Sequence, residues 1–129
     1  MKPLTFAVLR LLSDGEFHSG EEMAQQLHVS RASIWQGMRH LDEAGGDLFR
    51  VPGRGYRLRE PLHWIDKDKI HAGLGDKAGL FDLEVADCLA STNSRLLEKA
   101  VQGAPQGSCV IAEMQTAGRG RRGREWCAR

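Results

Sequence analysis

The chain has 129 residues, 41% apolar and 27% charged, which is ordinary globular composition and enough for one medium domain or a small domain plus part of another. A formal net charge of +1 excludes a general electrostatic drive toward DNA or an anionic membrane, so any nucleic-acid contact must come from local placement of charge. Three cysteines, Cys88, Cys109 and Cys127, without paired metal-ligand spacing argue against a disulfide framework and against a zinc site, and fit reduced thiols.

In chain order, the first element is an amphipathic helix. Leu4, Ala7, Val8, Leu11 and Leu12 recur at helical spacing, and Gly15 stops the helix after Ser13 and Asp14. The apolar run Phe6 to Leu12 is short and broken by Arg10, which speaks against a signal peptide or a spanning helix. The expectation is a cytoplasmic chain with no membrane partner. Ser19, three residues before Glu22, forms a capping-box pattern, and Met23, Ala24 and Leu27 give the following short helix its apolar face. That helix ends at His28-Val29, and Ser30 opens a longer one with Ile34, Met38 and Leu41 at spacings of four and three. Two helices joined by a tight turn, the second longer, make a helix-turn-helix arrangement.

The other side of that longer helix carries Arg31, Trp35, Gln36, Arg39 and His40, which are cationic and hydrogen-bonding groups of the kind that meets phosphates and base edges. Ser30, Arg31, Trp35, Gln36 and Arg39 are therefore candidate DNA-binding residues. The alternative is an ordinary solvated face with Trp35 packed on a neighbouring helix. Gly37, about 1 kcal/mol less favourable than alanine inside a helix, implies close helix packing there.

After Gly45-Gly46 come two short strands, Leu48 to Val51 and Tyr56 to Leu58, around Pro52-Gly53-Arg54-Gly55. This is a β wing. Phe49, Val51, Tyr56 and Leu58 are expected on the side that covers the helices, with Arg50, Arg54, Arg57 and Arg59 reaching outward and Arg54 a candidate contact to phosphate or minor groove. Residues 1–59 hold eight Lys/Arg and seven Asp/Glu, so DNA binding is expected to need Glu21, Glu22 and Glu43 away from Arg31 and Arg39.

Glu60-Pro61 marks a boundary, because proline biases its predecessor to extended backbone. The expected division is a winged helix-turn-helix domain over 1–60, a linker with a short Asp66-capped helix over 61–79, and a second domain over 80–129. In the second domain Leu80 to Val85 reads as a strand and Ser94 to Val101 as a helix with Leu96, Leu97, Ala100 and Val101 on one side. A turn over Gly103 to Gly107 leads to a buried strand from Cys109 to Met114. Strand, helix, strand begins an α/β layer, and the whole is classed α+β.

Gly118-Arg119-Gly120-Arg121-Arg122-Gly123 follows that strand as a mobile cationic loop, in which glycine permits close backbone approach and arginine offers a planar fork for phosphate or carboxylate. A solvated basic turn or a nucleic-acid patch is the alternative. Ser91-Thr92-Asn93 is a helix start, and alone nothing more. Beside Gln115 and the arginine loop it becomes a set of neutral hydrogen-bond formers next to an anion cradle, suited to an amide-like small molecule with an adjoining phosphate. The spacing Gly118-x-Gly120-x-x-Gly123 imitates a dinucleotide fingerprint, but six residues leave no room for its helix and no acidic residue follows.

Taken together, Gly15-Glu16-Phe17-His18-Ser19-Gly20-Glu21, Ser30-Arg31-Ala32, Val51-Pro52-Gly53-Arg54-Gly55-Tyr56, Ser91-Thr92-Asn93 and the stretch from Ala112-Glu113 through Gln115 to Gly123-Arg124 match a family in order and approximate spacing. In these motifs the chain resembles the bifunctional biotin protein ligases and biotin operon repressors. The resemblance implies a winged helix-turn-helix that binds the biotin operator, followed by the start of an α/β catalytic domain. It implies biotin, ATP and Mg2+ as substrates and cofactor, biotinyl-5′-AMP as intermediate and corepressor, and transfer of biotin to a lysine of the biotin carboxyl carrier protein. A homodimer of the liganded intact protein is implied as well. By motif position Ser91, Thr92, Asn93, Gln115, Arg119, Gly120 and Arg121 would contact biotin, and Gly118 to Gly123 would form the adenylate loop. Arg119 and Arg121 would act there as the catalytic cations, with loop closure keeping water off a reactive mixed anhydride.

Trp35 and Gln36 occupy reader positions where members vary, so the operator sequence does not transfer. Cys88-Leu89-Ala90 lengthens the segment before Ser91. The family continues past the equivalent of Trp126 with most of the catalytic sheet and a lysine used at the adenylate, whereas this sequence reads Cys127-Ala128-Arg129. The expectation is an N-terminal portion that keeps DNA binding, with catalysis needing the remainder and residues beyond about 80 poorly ordered alone. The competing classes are a winged-helix regulator without ligase activity and a winged helix used only for protein contacts.

Overall fold

The computed structural model describes residues 2–43 and 46–127. Gly45 of the expected break at Gly45-Gly46, and Ala128 and Arg129, lie outside the described residues. The chain divides into two compact units, one up to His63 and one from Trp64.

In the first unit, helix α1 (Pro3–Leu11) starts with proline, whose fixed φ suits the first helical turn. It tightens into a 3-10 turn over Leu12–Asp14, and Gly15 closes it at φ 76°, a left-handed conformation that a side chain resists. Helix α2 (Gly20–Leu27) is capped by Ser19, whose hydroxyl accepts from the Glu22 N–H at 3.0 Å. His28 turns left-handed at φ 55°, and the Val29 N–H returns to the Ala24 carbonyl at 3.0 Å. Ser30 accepts from the Ser33 N–H at 3.1 Å and opens helix α3 (Arg31–Glu43).

Val8, Leu12, Met23, Ala24, Ile34, Met38 and Leu41 pack together with Leu58 of the wing in one core. These are the positions that helical periodicity assigned inward. Gly37 is buried against α1 as expected, but a Cβ added there would lie 3.7 Å from Val8 Cγ2, an ordinary contact, so packing does not require glycine.

The wing pairs β1 (Leu48–Val51) antiparallel with β2 (Gly55–Leu58). Its faces differ from the expected ones. Leu48 opposes Leu58 and Arg50 opposes Tyr56, while Phe49 opposes Arg57. Directly opposed residues share a face, so Tyr56 and Leu58 lie with Leu48 and Arg50, and Phe49 and Val51 lie on the other side with Arg57. Alternation within each strand was legible, but the pairing register fixed by the turn decides which alternation meets which, and one step of register exchanges the faces. Phe49 is accordingly 44% exposed, whereas Leu58 is buried.

The wing is stitched down at its root. His18 and Tyr56 exchange backbone hydrogen bonds of 2.9 and 2.8 Å, and any Cβ at Gly55 would collide with the His18 carbonyl oxygen. Leu62 N–H donates to the Ser13 carbonyl at 3.0 Å, which ties the end of this unit to the turn after α1.

In the second unit, Asp66 accepts from the N–H groups of Asp68 and Lys69 and caps α4 (Lys67–Leu74), which continues as a 3-10 turn over Gly75–Leu80. Strand β3 is Asp82–Leu89, later and longer than expected, because Leu80 belongs to the turn and Cys88 and Leu89 pair with Met114 and Gln115. The residues read as a lengthened segment before Ser91 are thus mostly strand. Helix α5 (Thr92–Val101) begins two residues earlier than expected, with Ser91 as its cap. Strand β4 (Ser108–Gln115) runs parallel to β3, the connection between them being α5.

Cys109 to Met114 were expected to be buried, yet all of β4 is only half-buried, because among the described residues its sheet has two strands. The apolar stripe of α5 is likewise uncovered, with Leu97 58% and Val101 89% exposed. No helix among the described residues is long and apolar enough to cross a membrane.

Candidate nucleic-acid interface and small-molecule site

Helix α3 buries Ile34, Gly37, Met38 and Leu41 and leaves Arg31, Trp35, Gln36 and Arg39 exposed, with His40 at the flank. Burial of the apolar stripe dictates this, since the 3.6-residue period rotates the intervening positions outward. Trp35 is 47% exposed, so the alternative in which it packs on a neighbouring helix does not hold. Instead the Arg39 guanidinium lies over its indole, 5.1 Å from the ring centroid. Glu43, expected away from the reader cations, stands 3.6 Å from Arg39 Nη2. The i,i+4 spacing on one helix brings them together, and an exposed pair of this kind is worth at most about 1 kcal/mol. Ser30 is exposed at the start of α3, its hydroxyl held by Ser33 at 2.9 Å.

On the wing, Arg54 is exposed at the tip and stacks over Phe17 at 4.6 Å, with Arg57 against the same ring at 5.3 Å and against Phe49 at 5.6 Å. Aromatic faces hold these guanidinium planes and leave their edges to donate. Phe17 enters the sequence analysis only within the Gly15 to Glu21 motif, and no local pattern gives it this role, because its partners come from the distant wing. At the wing root Asp14 takes both oxygens to His18 Nε2, at 3.0 and 2.9 Å. Its carboxyl titrates below the usual range because it accepts from the Glu16 N–H and, secondarily, from His18.

The second site is built where β3 and β4 end beside the start of α5. Ser91 is buried, and its hydroxyl accepts from the Ser94 N–H at 3.3 Å. Gln115, at the end of β4, uses Oε1 twice, accepting from the Thr92 N–H at 2.8 Å and from Thr92 Oγ1 at 3.1 Å. Two residues 23 positions apart in sequence are thereby locked together. The arrangement leaves the Gln115 amide NH2 as donor and the Thr92 hydroxyl oxygen as acceptor. Arg119 Nη2 donates to Ser94 Oγ at 2.9 Å, which brings the arginine loop onto the first turn of α5. Ser94 was missed in the sequence reading, although its place two residues after Thr92 on a helix start was a usable signal.

The loop is less free than its composition suggested. Thr116 and Ala117 donate to the Leu89 and Ala90 carbonyls, Trp126 N–H donates to the Gly118 carbonyl at 3.1 Å, and Gly120 N–H donates to the Arg124 carbonyl at 2.6 Å. A Cβ at Gly118 would collide with the Trp126 carbonyl oxygen. Arg121 and Arg122 sit exposed in a 3-10 turn, Arg122 at φ 61°. Asn93 is exposed too, so the structure gathers Ser91, Thr92, Gln115 and Arg119, while Asn93, Arg121 and Arg122 are left at the surface.

Behind the site, Glu84 of β3 receives Arg95 Nε at 2.9 Å and Lys99 Nζ at 3.0 Å from α5. Arg95 and then Lys99 hold the Glu84 carboxyl below its usual range, and Glu84 in turn raises Arg95. Among the described residues no group of three or more His, Cys, Asp or Glu side chains is arranged to hold a metal ion.

Residues 5–57 match the model of a helix-turn-helix (HTH) domain family. Along 124 residues, 96% of the chain, it is 46% identical to the bifunctional ligase/repressor BirA of Salmonella typhimurium, covering 37% of that protein. It is 35% identical over 111 residues, 86% of the chain, to the bifunctional ligase/repressor BirA of Bacillus subtilis, covering 34% of it. The biotin--[acetyl-CoA-carboxylase] ligase of Mycobacterium tuberculosis is 46% identical over 74 residues, 56% of the chain and 27% of that protein. The chain thus spans between 27% and 37% of the length of these curated relatives. It is an α+β chain whose first unit carries a helix-turn-helix domain and whose sequence is similar to the N-terminal portion of the bifunctional ligase/repressor proteins.

Proposed function

We propose that this chain is the DNA-reading part of a biotin-responsive repressor, joined to the beginning of a biotin protein ligase domain. The DNA-reading domain spans about residues 1–60. One observation carries the reading: α3 turns Arg31, Trp35, Gln36 and Arg39 to solvent on the side opposite its core stripe, with an arginine-bearing wing in the same unit. Ser30, Arg31, Gln36 and Arg39 meet the major groove and its phosphates, and Arg54 on the wing reaches backbone or minor groove.

In the second unit, the Gln115 amide and the Thr92 hydroxyl oxygen form a donor-acceptor pair that complements a ureido group, which offers both N–H donors and a carbonyl acceptor. Buried Ser91 holds the helix start that positions Thr92. Arg119, anchored on Ser94, places positive charge beside that pair, where an adenylate phosphate would lie, and Arg121 follows in the loop over Gly118 to Gly123. Mg2+ would accompany ATP, bound through the nucleotide's phosphates. In the intact protein these groups bind biotin and ATP, neutralise charge around the biotinyl-5′-AMP phosphate and exclude water. The biotinyl group then passes to a lysine of the biotin carboxyl carrier protein, and the liganded protein pairs as a homodimer on its operator. Catalysis requires the residues that the longer relatives have beyond this chain.

Fluorescence anisotropy with DNA carrying the biotin-operon promoter of the source organism tests the first part. Binding that weakens on raising salt and that is lost in Arg31→Ala/Arg39→Ala is the expected result; unchanged binding would refute it and favour a winged helix used for protein contacts. Calorimetry of the intact protein with biotin and ATP tests the second, because a regulator without ligase ancestry would show no heat from either.

A further inference from the structure

Resting on the DNA-binding reading above, we infer that Arg39 is a base-reading residue that selects guanine in a G·C pair, with Trp35 and Glu43 positioning it. Arg31, Trp35 and Arg39 are spaced i, i+4, i+8, so they form one stripe along the exposed side of α3. Over eight residues at 1.5 Å each the stripe runs about 12 Å, roughly the length of three to four base pairs of a major groove.

Within that stripe Arg39 differs from the other exposed arginine of α3. Its guanidinium lies over the Trp35 indole at 5.1 Å, and its Nη2 is 3.6 Å from Glu43 Oε1. The ring covers a face and leaves the in-plane N–H groups of the fork available. A long, flexible cation suffices for a phosphate, whereas bidentate recognition of a base edge gains from a fork whose rotamers are already restricted. The neighbouring carboxylate sharpens the choice. It offsets the charge that would draw Arg39 to a phosphate and would repel one that came close.

A G·C pair suits the same arrangement. In the major groove guanine presents O6 and N7 as acceptors for an arginine fork, and cytosine presents its N4 amino group as a donor that a carboxylate can accept. The Trp35–Arg39–Glu43 set therefore offers donors and an acceptor in the order that this pair needs. An A·T pair would place its adenine N6 amino group against the fork and leave a donor facing donors.

The test is selection from a randomised duplex library at low salt with the 129-residue chain and its Arg39→Gln, Trp35→Ala and Glu43→Gln variants, each checked by circular dichroism for an unchanged fold. The wild type should enrich guanine at one position of the half-site. Arg39→Gln should lose that preference by on the order of tenfold, shifting toward adenine, with other positions unchanged. Trp35→Ala and Glu43→Gln should weaken it several-fold while keeping guanine first. If Arg39→Gln instead lowers affinity evenly over all sequences and reduces the salt slope by about one, Arg39 is a phosphate contact and the inference is overturned while DNA binding stands. If the wild type enriches nothing even when two copies are joined through their C-termini to engage both half-sites, the DNA-binding reading falls and this inference with it.

Discussion

The two units use secondary structure to opposite effect. Three short helices and a hairpin in the first unit enclose one apolar core, in which Val8, Leu12 and Met23 have no measurable exposure. In the second, a two-stranded parallel sheet and the helix beside it bury Leu83 and Ser91, while Leu80, Phe81, Leu96, Leu97 and Val101 stay exposed. Parallel sheets are normally covered on both faces, and two strands alone are marginal. The first unit can therefore hold its reader helix by its own core. The second holds its site by hydrogen bonds, chiefly Gln115 to Thr92 and Arg119 to Ser94.

The largest test of this contrast is Ile34→Ala, which removes a side chain 1% exposed at the centre of the first core. It should cost about 2–5 kcal/mol in urea titration. Amide signals from β3 and β4 should be unaffected, and a matching loss there would mean that the units do not unfold separately.

Next comes Ser91→Ala, which deletes the cap of α5 and a buried hydroxyl. The expected loss is about 1 kcal/mol, read as faster amide exchange at Ser94 and Arg95. Retained protection would show that the cradle does not depend on its cap.

Gly37→Ala should stabilise the first unit by up to about 1 kcal/mol, because the structure has room for the methyl group 3.7 Å from Val8. A lowered midpoint in thermal unfolding would show that α1 and α3 approach more closely in solution.

The smallest effect is that of acid on Glu84. Its carboxyl titrates lower in the folded state than when unfolded, so the tie from β3 to Arg95 and Lys99 is fully present above the ordinary carboxylate range and is lost as pH falls through the depressed folded value. Chemical shifts of α5 should follow that titration, and Glu84→Gln should abolish it.

Legibility in the sequence followed the same division. Helix periodicity identified Val8, Ile34, Met38 and Leu41 as core, and so identified Arg31, Trp35 and Arg39 as outward, because one stripe determines the rest of a helix. It failed on the wing, where the faces of Phe49 and Tyr56 depend on a pairing register that neither strand contains alone. At Glu43 the expectation from charge failed where the four-residue spacing from Arg39 would have succeeded. In the second unit Ser91, Thr92 and Gln115 were found as types, but that Gln115 Oε1 is shared between two groups of Thr92 is a fact of the fold. Arg119 is legible as an anion ligand, and only the fold brings it to rest on Ser94.

Gly118 gives the arginine loop a latch. Its carbonyl takes the Trp126 N–H at 3.1 Å, and there is no space between its α-carbon and the Trp126 carbonyl for even one methyl group. The two sides of the loop thus meet backbone to backbone, and alanine at 118 would act as a wedge. Such a variant would hold the loop ajar without replacing Ser91, Thr92, Gln115 or any arginine. On the ligand-binding role proposed above, it would separate in the intact protein what the cradle contributes to affinity from what the loop contributes to residence time.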